Sequence, residues 1–252
     1  MDPVSVPVYE PLNTLKEVGP DIWIADGDII KMDMLGFGLP FSTRMTVVKL
    51  KDRSLWIHSP IDPDVQLFQE IDALGEVKHL VSPNKIHYAY IAEWKKRYPN
   101  ATAWSSPGVE KRAESQDIQT DFNRPLKDEA PSDWSDKIDQ LIFKGSRALE
   151  EVVFFHKESQ TLILTDLIEN FEPKRTSNIF LRNLYKLAGI AYPDGKTPID
   201  LRMTFAGQKE QARECYKRML SWQPEKIILA HGHWYDQNGT EELKRAFRWL
   251  DK

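Results

Sequence analysis

Three residues able to bind a metal ion each follow a short apolar run. His87 comes after VKHLVSP, Asp166 ends TLILTD, and His231 ends EKIILAH. Two neutral imidazoles and a carboxylate form a ligand set suited to Zn²⁺, or to iron or manganese where coordination positions stay open. Several histidines and aspartates occur in any chain of 252 residues, so these three indicate a metal site only if the fold brings them together.

The first half of the chain predicts strands followed by alternating helices and strands. The β-branched and aromatic runs DIWIADGDI, RMTVVKL and SLWIHSP predict antiparallel strands. VQLFQEIDAL and HYAYIAEWKKRYP have helical periodicity, whereas VKHLVSP and ATAW are typical of short strands. This alternation predicts βα units on a sheet.

The second half repeats this mixture. KIDQLIFKG, EEVVFFHKES, TLILTDLI and EKIILAHG predict strands, and NIFLRNLYKLAGI, GQKEQARECYKRMLSW and TEELKRAFRWLDK predict helices. His87, Asp166 and His231 therefore leave their strands at one edge of a sheet, where α/β folds build sites. We expect their side chains to lie within about 10 Å of one another, because one ion joins its ligands through short bonds.

Two segments interrupt the regular pattern. Residues 114–137 are charged and contain prolines, which predicts a long surface loop. Residues 171–203 insert an amphipathic helix that either covers a cleft as a lid or packs against the body of the protein. The second alternative is favoured, with Phe180, Leu181, Leu184 and Leu187 as the packing residues.

Composition excludes several classes of function. The net charge is −4 and the basic residues are scattered, so nucleic acid is not an expected partner. The one cysteine, Cys215, lies on the apolar face of a predicted helix and favours a core role in a reducing compartment. The sequence contains neither a signal peptide nor an apolar run of bilayer length, so we expect a cytoplasmic protein without transmembrane segments.

Three segments resemble the metallo-β-lactamase superfamily over most of the chain. HLVSPNKIHYAYIAEWKKRYPNATAWSSP is similar to its strand, metal-binding loop and helix, EEVVFFHKESQTLILTDLI to the hairpin before the bridging aspartate, and KIILAHG to the strand before the final histidine. The likeness is strongest to an uncharacterised family of degenerate metallo-β-lactamase-like domains, whose loop reads Pro-Asn. The resemblance implies an α/β fold, a metallo-β-lactamase-like four-layer αββα sandwich, as a single domain over residues 1–252.

The metal-binding loop departs from the superfamily pattern His-x-His-x-Asp-His. When His87 is matched to the last histidine, Ser82 and Asn84 stand at the positions of two histidines and Ile86 at that of the aspartate. Arg147 lies near the position of another expected histidine. The resemblance therefore implies that the first of the two metal sites is dismantled.

The remaining ligands belong together in the resemblance. His87, Asp166 and His231 match the ligands of the second metal and imply at most one ion, zinc or else iron or manganese. The implied function is a mononuclear metal-dependent hydrolase acting on an ester, amide, thioester or phosphoester of unknown identity. Asp166 would help to orient the attacking water, and His233 or Asp236 would complete the coordination or transfer a proton.

The alternative keeps the fold and removes the metal. In that case Lys85 or Arg147 places a cation near Asp166, and the protein is a non-catalytic member of the fold that binds a small molecule or a protein partner in the same cleft. The aromatic residues expected to border the cleft are Tyr88, Tyr90, Trp234 and Tyr235.

Overall fold

A seven-stranded sheet occupies the first half of the protein, whose computed structural model describes residues 6–34 and 37–251. Its strands pair in chain order, antiparallel from the first to the fourth and parallel from the fourth to the seventh. This change confirms the predicted succession of antiparallel strands and βα units. The strands are β1 (Lys16–Gly19), β2 (Ile22–Met34), β3 (Phe37–Lys49), β4 (Leu55–His58), β5 (Val77–Val81), β6 (Thr102–Ser105) and β7 (Arg124–Pro125).

A four-stranded sheet contains the strands of the second half. Its order is β11-β10-β9-β8, with antiparallel pairing except between β10 and β11, which run parallel. The bounds are β8 (Ile138–Phe143), β9 (Glu151–His156), β10 (Thr161–Ile163) and β11 (Lys226–Ile228).

Helices lie between these strands, and none in the described ranges is long and apolar enough to cross a membrane. Asp64 caps the first helix by accepting a hydrogen bond from the backbone N–H of Leu67 at 2.7 Å. The α-helices are α1 (Val65–Leu74), α2 (Ile91–Arg97), α3 (Val109–Glu114), α4 (Ile179–Ala188), α5 (Ile199–Met203), α6 (Lys209–Ser221) and α7 (Gly239–Ala246), with 3₁₀ turns at Pro173–Arg175 and Arg248–Leu250.

Three apolar clusters separate four layers. Trp56 and Val81 of the first sheet meet Phe154 and Ile163 of the second in the central cluster. A second cluster joins the outer face of the first sheet to α1 and α2, and a third joins the outer face of the second sheet to α6 and α7. The predicted αββα sandwich is thus confirmed, since each sheet buries one face against its partner and the other against helices.

Strand register places two of the three potential ligands side by side. Ile163 of β10 pairs with Ile228 of the parallel strand β11. Asp166 and His231 each lie three residues beyond these partners, so they leave the second sheet at the same edge and the same level. Parallel strands end at a common edge, which explains why residues far apart in sequence become neighbours here.

The amphipathic insertion packs by one face only. Leu181 and Tyr185 are buried, and the ring of Tyr185 stacks on Phe171 with 4.7 Å between centroids. Phe180 and Leu187 are instead 70% and 79% exposed, so the prediction that they pack against the body is wrong. At 3.6 residues per turn, positions 180 and 187 share the face opposite to 181 and 185.

Residues 114–137 are mostly irregular, as predicted for a loop, apart from the end of α3 and the two-residue strand β7. Leu126 and Trp134 nevertheless enter the central core, and Trp134 is fully buried. The indole N–H of Trp134 donates to Gln140 Oε1 at 3.1 Å. This anchoring holds the segment against the edge of both sheets.

Candidate metal centre

The carboxylate of Asp166 lies between two imidazoles. Its Oδ2 is 3.3 Å from His87 Nε2, and its Oδ1 is 3.3 Å from His231 Nε2. One potential ligand atom from each residue falls within 4.8 Å of the other two. The three residues form what we call the ligand cluster, and it is the one group of this kind in the described ranges.

A main-chain hydrogen bond fixes the orientation of His231. Its Nδ1 lies 2.7 Å from the carbonyl oxygen of Ser42, on β3. A carbonyl oxygen only accepts, so Nδ1 carries the proton and donates it. The lone pair of neutral His231 is therefore on Nε2 and points toward Asp166, which is how backbone contacts orient metal-binding histidines.

In this tautomer the lone pair of His231 Nε2 repels the Asp166 carboxylate, and a cation between them removes the repulsion. Without a further proton, Nε2 of His231 and Oδ1 of Asp166 are two acceptors facing each other at 3.3 Å. Either a proton or a metal ion between them removes the repulsion. In the proton-bearing form burial lowers the pKa of His231, but the hydrogen bond and charge of Asp166 outweigh burial and leave the pKa above its ordinary value.

The same balance acts on the carboxylate. Burial raises the pKa of Asp166, but the charge of His87 and hydrogen bonds from both histidines prevail and hold the pKa well below its usual range. Asp166 is therefore anionic at neutral pH, as a ligand must be.

The spacing of the cluster agrees with metal coordination. Ligand atoms bound at about 2.0–2.1 Å in a tetrahedral zinc site lie about 3.3–3.4 Å from each other. Both imidazole nitrogens are 3.3 Å from a carboxylate oxygen of Asp166. With all three ligand atoms within 4.8 Å of one another, the donor set of two imidazole nitrogens and one carboxylate oxygen fits a transition-metal ion.

Ser59 and Asn84 orient His87. Its Nδ1 is 2.7 Å from Ser59 Oγ, in the turn after β4, where Ser59 has a left-handed φ of 51°. The side-chain oxygen of Asn84 accepts hydrogen bonds from the backbone N–H groups of Ile86 at 2.9 Å and His87 at 3.2 Å. These hydrogen bonds hold the segment after β5 in a turn, and this turn positions the His87 imidazole.

Asn84 also supports the carboxylate. Its amide nitrogen donates to Asp166 Oδ2 at 2.6 Å and lies 2.9 Å from Thr165 Oγ1. The resemblance to the superfamily implied only that Asn84 stands where a histidine is expected. In the structure, Asn84 links the His87 loop to the Asp166 carboxylate. Ser82, at the other histidine position, donates its hydroxyl to the Asn84 carbonyl at 3.1 Å and is fully buried.

A buried carboxylate holds the Asp166 turn from below. Glu151, the first residue of β9, accepts from the backbone N–H of Thr165 at 2.8 Å and of Asp166 at 2.7 Å. Burial and the charge of Asp166 raise the pKa of Glu151, whereas the hydrogen bonds lower it. No sequence signal distinguishes Glu151 from its acidic neighbour Glu150.

The counter-charges of Asp166 are not those considered in the metal-free alternative. Within the described ranges its ion pairs run to His87 and His231. Lys85 and Arg147 make none with it, so that part of the alternative is wrong. The backbone N–H of Arg147 donates a hydrogen bond to the carbonyl oxygen of Thr204 at 3.2 Å.

A cleft of about 240 Å³ opens beside the ligand cluster. Its walls are mostly apolar, and its described ionisable residues are acidic apart from His231. It is lined by Phe41, Ile86, Ala148, Leu149, Asp166, Glu169, Pro198, Asp200, Leu201, Thr204 and His231.

Glu169 is a cleft residue that sequence reasoning missed. It is 8% exposed, and its carboxyl group makes no hydrogen bond or ion pair with a described residue. Burial, opposed by His231 and reinforced by Asp166, raises the pKa of Glu169 to about 8. The surrounding sequence LIENF, in which the polar Asn170 follows Glu169, gives no signal that this acid is buried.

His233 lies outside this arrangement. Gly232 has a φ of +85°, and its Cα approaches the Asn170 backbone so closely that a Cβ would lie 2.3 Å from that carbonyl oxygen. The resulting turn leaves His233 against Tyr192, with its Nδ1 2.8 Å from the Trp234 carbonyl. The catalytic role expected of His233 has no support in this geometry, and Asp236 is exposed away from the cleft.

The aromatic residues expected at the cleft do not line it. Tyr88 is buried in the core beneath the first sheet, and Tyr235 is buried with its hydroxyl 3.3 Å from the Gly195 carbonyl. Tyr90 packs against the same core as Tyr88, and Trp234 against the central core. The expectation for these four residues is wrong, because Phe41 is the aromatic wall of the cleft.

The sequence of the chain matches one protein family. A family profile described as "Domain of unknown function (DUF4336)" matches residues 37–188, which is more than half of the chain. No curated protein matches.

Solved structures similar to this one are metallo-β-lactamases. DIM-1 has a TM-score of 0.63 at 17% identity, and 98% of each chain is covered. An enzyme from Pontibacter korlensis has a TM-score of 0.63 at 11% identity over 95% of this chain and 99% of the other. FIM-1 from Pseudomonas aeruginosa, described in a mono-zinc form, has a TM-score of 0.61 at 14% identity over 99% and 97%. At such identities the likeness shows the fold.

Replacing Asn84 should destabilise the site. We expect Asn84→Ala to lower the free energy of unfolding by about 2–3 kcal/mol, because it removes one hydrogen-bond donor to the buried Asp166 carboxylate and the side-chain acceptor of the Ile86 and His87 backbone N–H groups. Urea unfolding measures the change, with Asn100→Ala in an exposed turn as the control. If Asn84→Ala stays within about 0.5 kcal/mol of the wild type, as an ordinary surface change does, Asn84 does not hold the site together.

Proposed function

The chain belongs to the DUF4336 family, and we propose that it is a metal-dependent hydrolase with one ion held by His87, Asp166 and His231. The convergence of the ligand cluster, with His231 Nδ1 committed to the Ser42 carbonyl, is the observation that carries this proposal. A zinc, iron or manganese ion bound there would supply a Lewis acid and a means of activating water near neutral pH.

The cleft favours an uncharged acyl substrate. Asp166, Glu169 and Asp200 line it together with apolar side chains, and no lysine or arginine is among the lining residues. A phosphoester would bring its negative charge toward these carboxylates at a Coulombic cost. Among the four substrate classes, a neutral ester, thioester or amide with an apolar group against Phe41 and Leu201 therefore suits the cleft best.

Glu169 is suited to donate a proton. Burial raises the pKa of its carboxyl group to about 8 in the absence of a metal ion, and the group faces the cleft and is not engaged by a described residue. A proton delivered to the leaving oxygen, sulfur or nitrogen prevents the expulsion of a poor anionic leaving group. Asp166 remains the anion that orients the reacting groups, so two neighbouring carboxyl groups take opposite roles because their surroundings separate their pKa values.

A metal-free binding protein is the second candidate. The observation that favours it is the 2.6 Å hydrogen bond from Asn84 to Asp166 Oδ2, because this bond and a protonated His231 complete the network without a metal. A small molecule or protein partner would then occupy the same cleft.

Asp166→Asn separates the two candidates. For a metalloprotein, a chelator should lower the unfolding temperature of the wild type and leave the variant unaffected, because the variant has lost a charged ligand. Thermal unfolding of both proteins with and without chelator measures this, and the exposed Asp236→Asn is the control, which should behave as the wild type.

The opposite pattern supports the metal-free protein. There the wild type ignores the chelator, and Asp166→Asn is less stable by a few kcal/mol in both conditions, because a buried histidine has lost its counter-ion. That result would overturn the hydrolase.

Glu169→Gln should impair catalysis in a way that depends on the leaving group. Hydrolysis of an alkyl ester, whose alkoxide leaves poorly, should slow by about 10²-fold, whereas a nitrophenyl ester, which needs no proton, should be nearly unaffected. Metal content should not change. Asp200→Asn in the same cleft is the control and should slow neither substrate strongly.

The pH dependence of the hydrolysis rate is an independent test of Glu169 as the proton donor. A general acid works while protonated, so the wild-type rate on the alkyl ester should fall as the pH rises through the pKa of Glu169, which burial raises and a bound metal ion holds below the metal-free value of about 8. This fall should be absent in Glu169→Gln. An equal loss of rate on both esters, with the fall retained, would remove Glu169 as the proton donor.

A further inference from the structure

A second cavity, of about 620 Å³, shares α5 with the cleft but has the opposite charge. Asp200 and Leu201 of α5 line the cleft, whereas the next residue, Arg202, lines the second cavity. Five cationic side chains and one aspartate meet here, in a chain whose net charge is −4. The lining residues are Asp194, Lys196, Arg202, Lys209, Arg245, Ala246, Arg248 and Trp249.

Most of these cations lack a counter-ion. Arg245 is paired, with its Nε 2.8 Å from Glu242 Oε2 and 4.0 Å from Asp194 Oδ1. The other four make no ion pair with a residue in the described ranges 6–34 and 37–251, and they come from the 189–203 segment, the start of α6 and the turn after α7. These four are Lys196, Arg202, Lys209 and Arg248.

Arg202 also has an unsatisfied donor. Its Nε is buried from solvent and has no hydrogen-bond acceptor among the described residues. A buried donor left unpaired costs about 1–3 kcal/mol, and charge on the same group raises that cost. An acceptor with negative charge in the cavity would relieve both the missing hydrogen bond and the repulsion between the cations.

The required ligand carries more than one negative charge. Cations gathered around one cavity repel one another, and the repulsion is strongest where they are shielded from water and salt. A monocarboxylate neutralises one of them, whereas a phosphate or diphosphate group neutralises several and matches the fork of an arginine guanidinium. We propose that this cavity is a binding site for a small molecule bearing a phosphate or diphosphate group.

The shape of the charge distribution favours a small molecule over a nucleic acid. The unpaired cations converge on one cavity, and its volume lies in the range typical of small-ligand sites. A nucleic acid requires a stripe of positive charge along an extended surface, whereas the other basic residues of this chain are scattered.

Calorimetric titration with inorganic pyrophosphate tests the proposal. We expect saturable binding of one pyrophosphate per chain at about 0.1 M salt. The double variant Lys209→Gln/Arg248→Gln should weaken the affinity at least about tenfold, since it removes two of the attracting charges. Because the variant relieves repulsion, its unfolding temperature without ligand should equal or exceed that of the wild type, which separates lost binding from misfolding.

Two control proteins make the result specific. Lys51→Gln/Arg53→Gln removes the same charge from an exposed turn and should bind as the wild type does. Wild-type protein treated with a chelator is the second control and should also bind unchanged, because the proposed anion site does not use a metal ion at the ligand cluster.

Three results would overturn the proposal. They are the absence of saturation up to about 10 mM pyrophosphate, equal weakening in both double variants, which indicates diffuse surface attraction, and loss of binding after chelator treatment, which indicates pyrophosphate on a metal ion at the ligand cluster.

Discussion

The hydrogen bond from His231 Nδ1 to the carbonyl of Ser42 is the constraint on which the candidate site depends. It joins the edge of the second sheet to β3 of the first and decides which imidazole nitrogen faces Asp166. Because that nitrogen has a lone pair in the neutral tautomer, the Asp166 carboxylate cannot face it without a proton or a metal ion between them. The other contacts of the site hold this arrangement in register: Asn84 from the His87 loop, Glu151 beneath the Asp166 turn and Ser59 behind His87.

Part of this arrangement follows from the sequence, because the apolar runs predict where strands end and therefore which residues lie at the edge of a sheet. Apolar runs that each end in a potential ligand predict that the ligands share one edge, and the parallel pairing of Ile163 with Ile228 in the structure places Asp166 and His231 at one level of that edge. The assignment of Ser82 and Asn84 to the positions of two histidines comes from the resemblance to the superfamily loop, not from the residues of this chain alone.

The sequence could not identify residues whose role depends on their surroundings. Glu169 has an altered pKa because of burial beside Asp166, and nothing in LIENF distinguishes it from an exposed acid. Tyr88 and Tyr235 are close in sequence to the ligands, but their backbone directions carry them into the core rather than the cleft. The cationic cavity was hidden for the same reason, since its residues are spread over positions 194–249 and only the packing of α5, α6 and α7 collects them.

The two cavities give α5 an acidic side and a basic side. Carboxylates line the cleft beside the ligand cluster, whereas lysine and arginine side chains line the second cavity, so a single short helix lies between two regions of opposite charge.

The central claim is that the ligand cluster binds one metal ion, and metal analysis of protein purified without a histidine tag tests it most directly. After zinc supplementation and extensive dialysis, the account predicts about one equivalent of transition metal per chain, because three ligands with an open position suffice for one zinc ion and the described ranges contain one such group. Retention of no metal would contradict the account in favour of a metal-free protein, and two tightly held equivalents would contradict the assignment of the ligands.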